Sequence, residues 1–499
     1  MEGGILKYKI YLGCTHNIKQ EIKGIFPGEK DKMVITDWPE FNWQQMRVLE
    51  LNFMEREDIL PRNHKYWLEI IEKAKRANPN ILLTAHYSFV YNKNKENPNY
   101  KELTHNELFS KKPFNMEFDW LVVPKGYKDS LVSRINEANL EVIKRQIDFC
   151  HDYDIKNLTV HVTKPGAYLS EKEFEKFIEK INILDSYSRQ KDGELNICIE
   201  TGGVKPSQIE ELIKNTKESV KINYDTAHAI LDNEIMKDEQ FDFNFIEKLI
   251  QENRLGEVHL TEVVEGADVH APLYLDKAKD FSGKLKKTLA GEMNKYMIKR
   301  LNYEASNGNV IPAILETKPD QKNFDYVKNI LKDTNVFLVC GLQGTGKTSL
   351  SDTLSEITGS TVIHSDVVRT ELFPNPLHTE KEKQTVYSKI NLYVIDEILN
   401  NRDVIVDATF KNKKDRNSLH NRAKLLGANV KIIETVCPEE IVLKRLEKRN
   451  KDEAGKREYF KYKEEFEPIE EEHYIIDTSK SLKKQIQKIV NDQKPSLQQ

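Results

Sequence analysis

Long apolar runs are missing from this sequence; none approaches the ~18 residues that a membrane-spanning helix needs, so no membrane association is expected. The opening residues, MEGGILKYKIYLG, lack the basic, apolar and small-residue regions of a secretory signal. Cysteine is scarce. Cys14, Cys150, Cys198, Cys340 and Cys437 are widely spaced and form no CxxC. That argues against a disulfide scaffold, and a reducing cytoplasm is the expected compartment. Net charge is small too: 76 Lys+Arg against 80 Asp+Glu leave −4, without the strongly basic footprint of a bulk nucleic-acid binder. Internal repeats and low-complexity tracts are absent. With 38% hydrophobic and 31% charged residues, the composition is that of a soluble globular protein. A length of 499 residues exceeds one ordinary domain, at roughly 150 residues each.

Short β-branched runs recur through the first two thirds. They fall at 9–12, 47–51 (RVLEL), 81–85 (ILLTA), 158–160 (LTV), 195–199 (LNICI), 220–224 (VKINY), 257–260 (EVHL) and 312–315 (PAIL). Amphipathic helical stretches such as 139–152 and 171–183 lie between them. Alternating β and α units imply a parallel sheet. Eight such units predict a (β/α)8 TIM barrel, a fold of about 250 residues before insertions. The segment 91–128, rich in Asn, Lys and Pro, reads as a long insertion. A second start follows residue 332, where 335–340 (NVFLVC) leads into a glycine loop and a further α/β alternation. The expected domains are therefore 1–332, the barrel, and 333–490, a P-loop α/β domain with a parallel sheet. The polar tail from 484 to 499 reads as frayed.

The glycine loop is Gly341-Leu-Gln-Gly344-Thr345-Gly346-Lys347-Thr348, followed by Ser349, a full GxxxxGK[ST] between a strand and a helix. Its glycines let backbone N–H groups turn inward around a β-phosphate. Lys347 reaches the β/γ oxygens, and the Thr348 hydroxyl takes Mg²⁺. ATP and Mg²⁺ are the expected cofactors. Asp366 leaves the second strand where it could accept a proton from an acceptor hydroxyl, and Arg369 could hold that acceptor. Asp407 ends a hydrophobic strand, a form that often handles Mg²⁺ or its water. Arg445 and Arg449, four apart on a helical stretch, share one face, as a lid over transferring phosphate requires. In order and spacing, this half resembles the polynucleotide 5′-kinase branch of small P-loop kinases, over about 335–478. The resemblance implies Asp366 as general base and Arg369 as the acceptor-phosphate contact. It implies Arg445 and Arg449 as stabilisers of the transition state. Related domains phosphorylate small molecules, so acceptor identity stays open.

In the first half, metal-competent side chains sit at strand ends. His86 follows ILLTA, His161 follows LTV, Glu200 follows LNICI and Asp225 follows VKINY. His259 lies within EVHL, and Glu316 follows PAIL. His228, Asp268 and His270 cluster just beyond the sixth and seventh strands. Strand C-termini are where barrels of this kind build their sites. Nitrogen and oxygen donors without cysteine suit two or three Zn²⁺ or Mn²⁺ ions, and clustered divalent ions suit phosphoester hydrolysis. A set of only four ligands would suit a sugar isomerase instead.

The stretches LTAHYSF, LTVHV, ICIETGG, INYDTAHA, VHLTE, DVH and ILETKP resemble the endonuclease IV type of xylose-isomerase-like barrel, over about 6–318. The resemblance implies His86, His161 and Glu200 on a first ion, with Glu200 bridging to a second on Asp225, His259 and Glu316. A third would lie on His228, Asp268 and His270. All nine positions have counterparts here, whereas isomerase relatives usually keep four, which favours phosphoester hydrolysis with Glu200 at its centre. Joined to a 5′-kinase, such a barrel would heal broken DNA or RNA ends. The rival reading is a sugar isomerase or epimerase fused to a sugar kinase. A nucleotide-sensing regulator with a degenerate barrel is the weakest, because no ligand position is missing.

Overall fold

Eight parallel strands close into a barrel: β1 (Leu12–Asn17), β2 (Val48–Phe53), β3 (Leu82–Tyr87), β4 (Asn157–Val160), β5 (Asn196–Glu200), β6 (Val220–Asp225), β7 (Leu255–Leu260) and, after a hairpin of β8 (Glu262–Val264) and β9 (Ala267–Ala271), β10 (Ala313–Leu315). Neighbouring strands follow the chain from β1 to β7, and β10 closes the ring between β7 and β1. These are the eight runs expected from sequence, with ends shifted by a few residues. The computed structural model describes residues 9–17, 46–53, 61–87, 129–162, 169–202, 204–231, 243–264, 267–275, 289–316, 321–449 and 454–491. The expected insertion at 91–128 lies outside them, as do the side chains of Asp268, His270 and Arg449.

The strands read as near-continuous apolar runs because helices cover the outside and side chains fill the inside. Every residue of β7 is buried. The helix Glu171–Ser188 shows how the cover is made. It buries Phe174, Phe177, Ile178, Ile181 and Leu184 along one stripe, and at its start the Glu173 carboxylate accepts from the Ser170 backbone N–H at 2.9 Å. Parallel register then levels the strand ends. Asp225 on β6 pairs with His259 on β7, and Glu200 on β5 pairs with Asn223 on β6.

Residue contacts divide the chain into two compact units, Met1–Val327 and Lys328–Gln499. In the second, β11 (Asn335–Cys340), β12 (Thr361–His364), β13 (Val404–Asp407), β14 (Asn429–Val436) and β15 (His473–Asp477) form a parallel sheet in the order β12-β13-β11-β14-β15. Expectation and structure part at the C-terminus. The stretch expected to fray contains the helix Leu482–Asn491, with Ile486 and Ile489 buried against Phe337, Leu350 and Ile476. Leu482, Ile486 and Ile489 recur at helical spacing, and that apolar stripe outweighs the polar composition around it. Among the described residues no helix is long and apolar enough to cross a membrane.

Candidate functional site

At the barrel's C-terminal rim seven of the nine donors anticipated from sequence converge: His86, His161, Glu200, Asp225, His228, His259 and Glu316. His86 Nε2 lies 2.9 Å from His161 Nε2 and 3.0 Å from Glu200 Oε2, and His161 Nε2 is 3.2 Å from that same oxygen. Ligand atoms around a tetrahedral ion stand about 3.4 Å apart, so this triangle is close to ligating size. The other Glu200 oxygen serves a different group. Oε1 is 3.1 Å from His228 Nδ1 and 3.8 Å from His259 Nδ1. His259 Nδ1 is also 3.0 Å from Glu316 Oε1 and 3.9 Å from Asp225 Oδ2. One carboxylate thus belongs to both groups.

Burial and close neighbours shift the titrating groups at the rim in opposite directions. Burial drives His161 down to about 4, so its ring is neutral at ordinary pH. Burial pushes Asp225 up to about 8, with Glu316 and Glu200 adding repulsion. Burial also opposes ionisation of Glu200, but His161 and His86 outweigh it and hold this carboxyl well below its usual range. His259 goes the other way: Glu316 and Glu50 overcome its burial and raise it well above its ordinary value. Buried His86 Nδ1, both Glu200 oxygens, Asp225 Oδ2 and His259 Nδ1 make no hydrogen bond of good geometry. Buried polar atoms in such numbers demand a partner. The donor set, imidazole and carboxylate only, fits Zn²⁺ or Mn²⁺.

His228 is set by a close backbone approach. Its Nδ1 lies 3.0 Å from the Thr201 carbonyl, and its backbone N–H donates to Asp225 Oδ1 at 2.6 Å. Gly202, at φ +134°, leaves the space: a Cβ there would stand 2.9 Å from His228 Nδ1. Asp268 and His270 lie within β9.

Sequence reasoning missed Glu50 and Glu257. Both are wholly buried in the barrel, where Glu50 Oε1 lies 3.0 Å from His259 Nε2 and Glu257 Oε1 lies 3.4 Å from it. Burial raises Glu257 to about 7. A glutamate inside an apolar strand was the signal available in RVLEL and EVHL.

In the second unit the loop after β11 wraps as its motif requires. Gly341 takes φ +143°, and a Cβ there would strike the Thr435 hydroxyl and stand 2.9 Å from the Thr435 carbonyl. Gly344 and Gly346 also adopt positive φ. Thr345 braces the loop from inside, donating to Leu342 O at 2.7 Å and sharing a 2.7 Å hydrogen bond with Thr435. Lys347 Nζ donates to Leu342 O at 3.0 Å, folded over the loop. Thr348 and Ser349 are exposed in the first turn of the helix Lys347–Thr358. The Thr348 hydroxyl donates to Asp407 Oδ2 at 2.8 Å, joining the two groups expected to handle Mg²⁺. His364 Nδ1 reaches the same oxygen at 3.1 Å, a contact that sequence reasoning did not find.

The expected acceptor and lid residues fall less uniformly. Asp366 is exposed in the first turn of the helix Ser365–Leu372. Arg369 Nη1 stands 3.7 Å from Glu382 Oε2. Arg445 donates to the Gly344 carbonyl at 3.3 Å and to Thr478 O at 3.1 Å, so its guanidinium holds the glycine loop itself. Arg416, nine residues beyond Asp407, is fully buried. It donates to Phe410 O at 2.7 Å, Lys411 O at 3.2 Å, Glu467 O at 2.9 Å and Pro468 O at 2.7 Å. Those bonds fasten two loops and leave it a structural residue.

Residues 128–286 match a family model described as a xylose isomerase-like TIM barrel, and residues 336–469 match one described as an AAA domain. No curated protein matches the chain. Among solved structures, a D-tagatose 3-epimerase-like protein is 14% identical, with 64% of this chain and 97% of that one covered, at a TM-score of 0.38. A sugar kinase from Janibacter sp. is 15% identical, covering 32% of this chain and 92% of its own, at 0.27. A gluconokinase from Sinorhizobium meliloti is 18% identical, covering 31% and 87%, at 0.25. By the two family matches, the chain carries a xylose isomerase-like TIM barrel fused to a P-loop kinase-like domain.

Proposed function

We propose that the barrel is a metal-dependent phosphoester hydrolase and that the second unit transfers phosphate from ATP to an acceptor hydroxyl. The observation that carries the barrel reading is the His86–His161–Glu200 triangle. It stands beside the set of Glu200, Asp225, His259 and Glu316, whereas sugar isomerisation on one ion needs only those four. These residues would hold two or more divalent ions, which when bound would supply an ionised water and charge stabilisation to the reacting oxygens of a phosphoester. The chain's part is to place its donors: Glu200 divides its oxygens between the groups, and neutral His161 offers a lone pair.

In the kinase-like unit, backbone N–H groups of the glycine loop and Lys347 would cradle the β- and γ-phosphates of ATP. Thr348 and Asp407 would hold Mg²⁺. Asp366 would take the proton from the acceptor hydroxyl, and Arg369 would anchor an anionic acceptor. Arg445 steadies the loop, and Arg449 completes the lid. Our reading of the two activities together is end repair, with hydrolysis at a blocked 3′ side and phosphorylation of a 5′-hydroxyl, on DNA or RNA.

The completeness of the four-donor set favours one alternative, a sugar isomerase or epimerase fused to a sugar kinase. Metal content per chain decides between the readings, followed by assays on 3′-phosphate, abasic and 5′-hydroxyl oligonucleotides and on free ketoses. Two or three ions, with hydrolysis abolished in His86→Ala, would support the hydrolase. A single ion and interconversion of ketoses would overturn it.

A further inference from the structure

We propose that Glu50 is a positioning residue that fixes which ring nitrogen His259 presents to metal. The proposal rests on the barrel binding divalent ions and is independent of the reaction it performs. Glu50 sits within β2, wholly buried. Its Oε1 lies 3.0 Å from His259 Nε2 and 3.8 Å from His86 Nδ1. In each ring the other nitrogen points into the donor cluster: His259 Nδ1 toward Glu316 at 3.0 Å, and His86 Nε2 toward Glu200 at 3.0 Å. Glu50 therefore stands directly behind the His259 ring, whereas His86 Nδ1 is approached equally by Glu50 and by Glu316 Oε1, each at 3.8 Å.

An imidazole coordinates a cation through a nitrogen that carries no proton. The hydrogen bond at the opposite nitrogen decides where the proton sits. For His259 to ligate through Nδ1, its proton must be on Nε2, and Nε2 must find an acceptor. Three groups face Nε2: Glu50 Oε1 at 3.0 Å, Glu257 Oε1 at 3.4 Å and Asn223 Nδ2 at 2.8 Å. Asn223 can serve either tautomer, because its amide presents Nδ2 or, after a half-turn, Oδ1, and Oδ1 is buried without a hydrogen bond. The carboxylates serve one tautomer only. Glu50 is the nearer of the two and selects the Nε2–H form. Without it, the Asn223 amide can donate to Nε2, move the proton to Nδ1 and block the ligating atom.

Two variants of the full chain test this. Glu50→Gln keeps an acceptor oxygen; Glu50→Leu keeps the bulk and removes the acceptor. ¹⁵N spectra of the histidine rings, taken on metal-free protein at a pH high enough to leave the rings neutral, should show His259 protonated on Nε2 in the wild type and shifted toward Nδ1–H in Glu50→Leu. Zn²⁺ affinity, measured by competition with a chromophoric chelator, should fall about 10- to 100-fold in Glu50→Leu, with Glu50→Gln recovering part of the loss. An unchanged His259 tautomer with wild-type affinity in Glu50→Leu would overturn the proposal. If Glu50→Leu does not fold, the tautomer in Glu50→Gln decides, and the wild-type Nε2–H form must weaken there. A wild type that binds neither Zn²⁺ nor Co²⁺ would instead remove the metal reading, while the metal-free ring spectra still decide the role of Glu50.

Discussion

At the barrel rim, side chains from strands scattered between His86 and Glu316 meet within hydrogen-bond distance, whereas at the glycine loop a single run from Gly341 to Ser349 makes the site. The rim gathers buried imidazoles and carboxylates whose ligand atoms lie within a few ångströms of one another. The loop stores conformation instead, in glycines at positive φ and in cross-braces from Thr345, Thr435 and Arg445. A site of the first kind depends on a whole fold staying in register. One of the second kind depends on a few backbone torsions. Each should therefore fail in its own way when residues are removed.

The sharpest test of that contrast is a pair of substitutions. Lys347→Ala should lower phosphoryl transfer by about 10²–10³-fold while leaving barrel metal content unchanged. Glu200→Gln should do the reverse, weakening metal at both ligand groups by more than the roughly 10–100-fold of an outer hydrogen-bonding change. Metal analysis beside a labelled-ATP assay reads both, and loss of both properties in either variant would break the separation drawn here. Ile486→Ala removes a side chain buried under the kinase-like sheet and should cost about 2–5 kcal/mol. Denaturant unfolding measures it, and a loss below ~0.5 kcal/mol would mean that the C-terminal helix does not hold the sheet.

A third test uses pH. Asp225 is raised to about 8 by burial, and His259 and His86 are raised despite burial, by their carboxylate neighbours. A raised folded-state value gives stability that is full below the unfolded value and is lost as pH climbs through the folded one. Metal-free barrel should thus melt several degrees lower at pH 8.5 than at pH 6.5, and added Zn²⁺ should remove most of the drop. An equal or higher melting temperature at pH 8.5 counts against the charge balance described. The smallest effect expected is at a helix start. The Thr379 hydroxyl accepts from the Glu382 N–H at 3.2 Å, and Thr379→Ala should cost about 1 kcal/mol of unfolding stability, with barrel melting unchanged.

Much of this was readable in sequence, for reasons that differ between the halves. The eight barrel strands announced themselves as β-branched runs, and His86, His161, Glu200, Asp225 and Glu316 could be picked out because each follows such a run directly. Glu50 and Glu257 escaped because they sit inside their strands, where the eye takes a charged residue as an interruption of the pattern. Only closure of the barrel shows that they point at His259. In the kinase-like unit the glycine loop was fully legible, since its chemistry is contiguous. What a sequence motif cannot say is whether a guanidinium such as that of Arg445 meets a ligand or backbone carbonyls. The C-terminal helix was misread by weighing composition above spacing.

The divided carboxylate of Glu200 has a consequence for how the barrel fills. Oε2 sits with His86 and His161 while Oε1 sits with His228 and His259, so a cation on either side draws electron density from the same group. Occupancies of the two groups would then be cooperative quantities rather than independent affinities, because a first cation would orient the shared carboxylate for a second and also compete with it for charge. A titration of metal-free barrel should therefore depart from a sum of independent binding curves, and Glu200→Gln should return it to one.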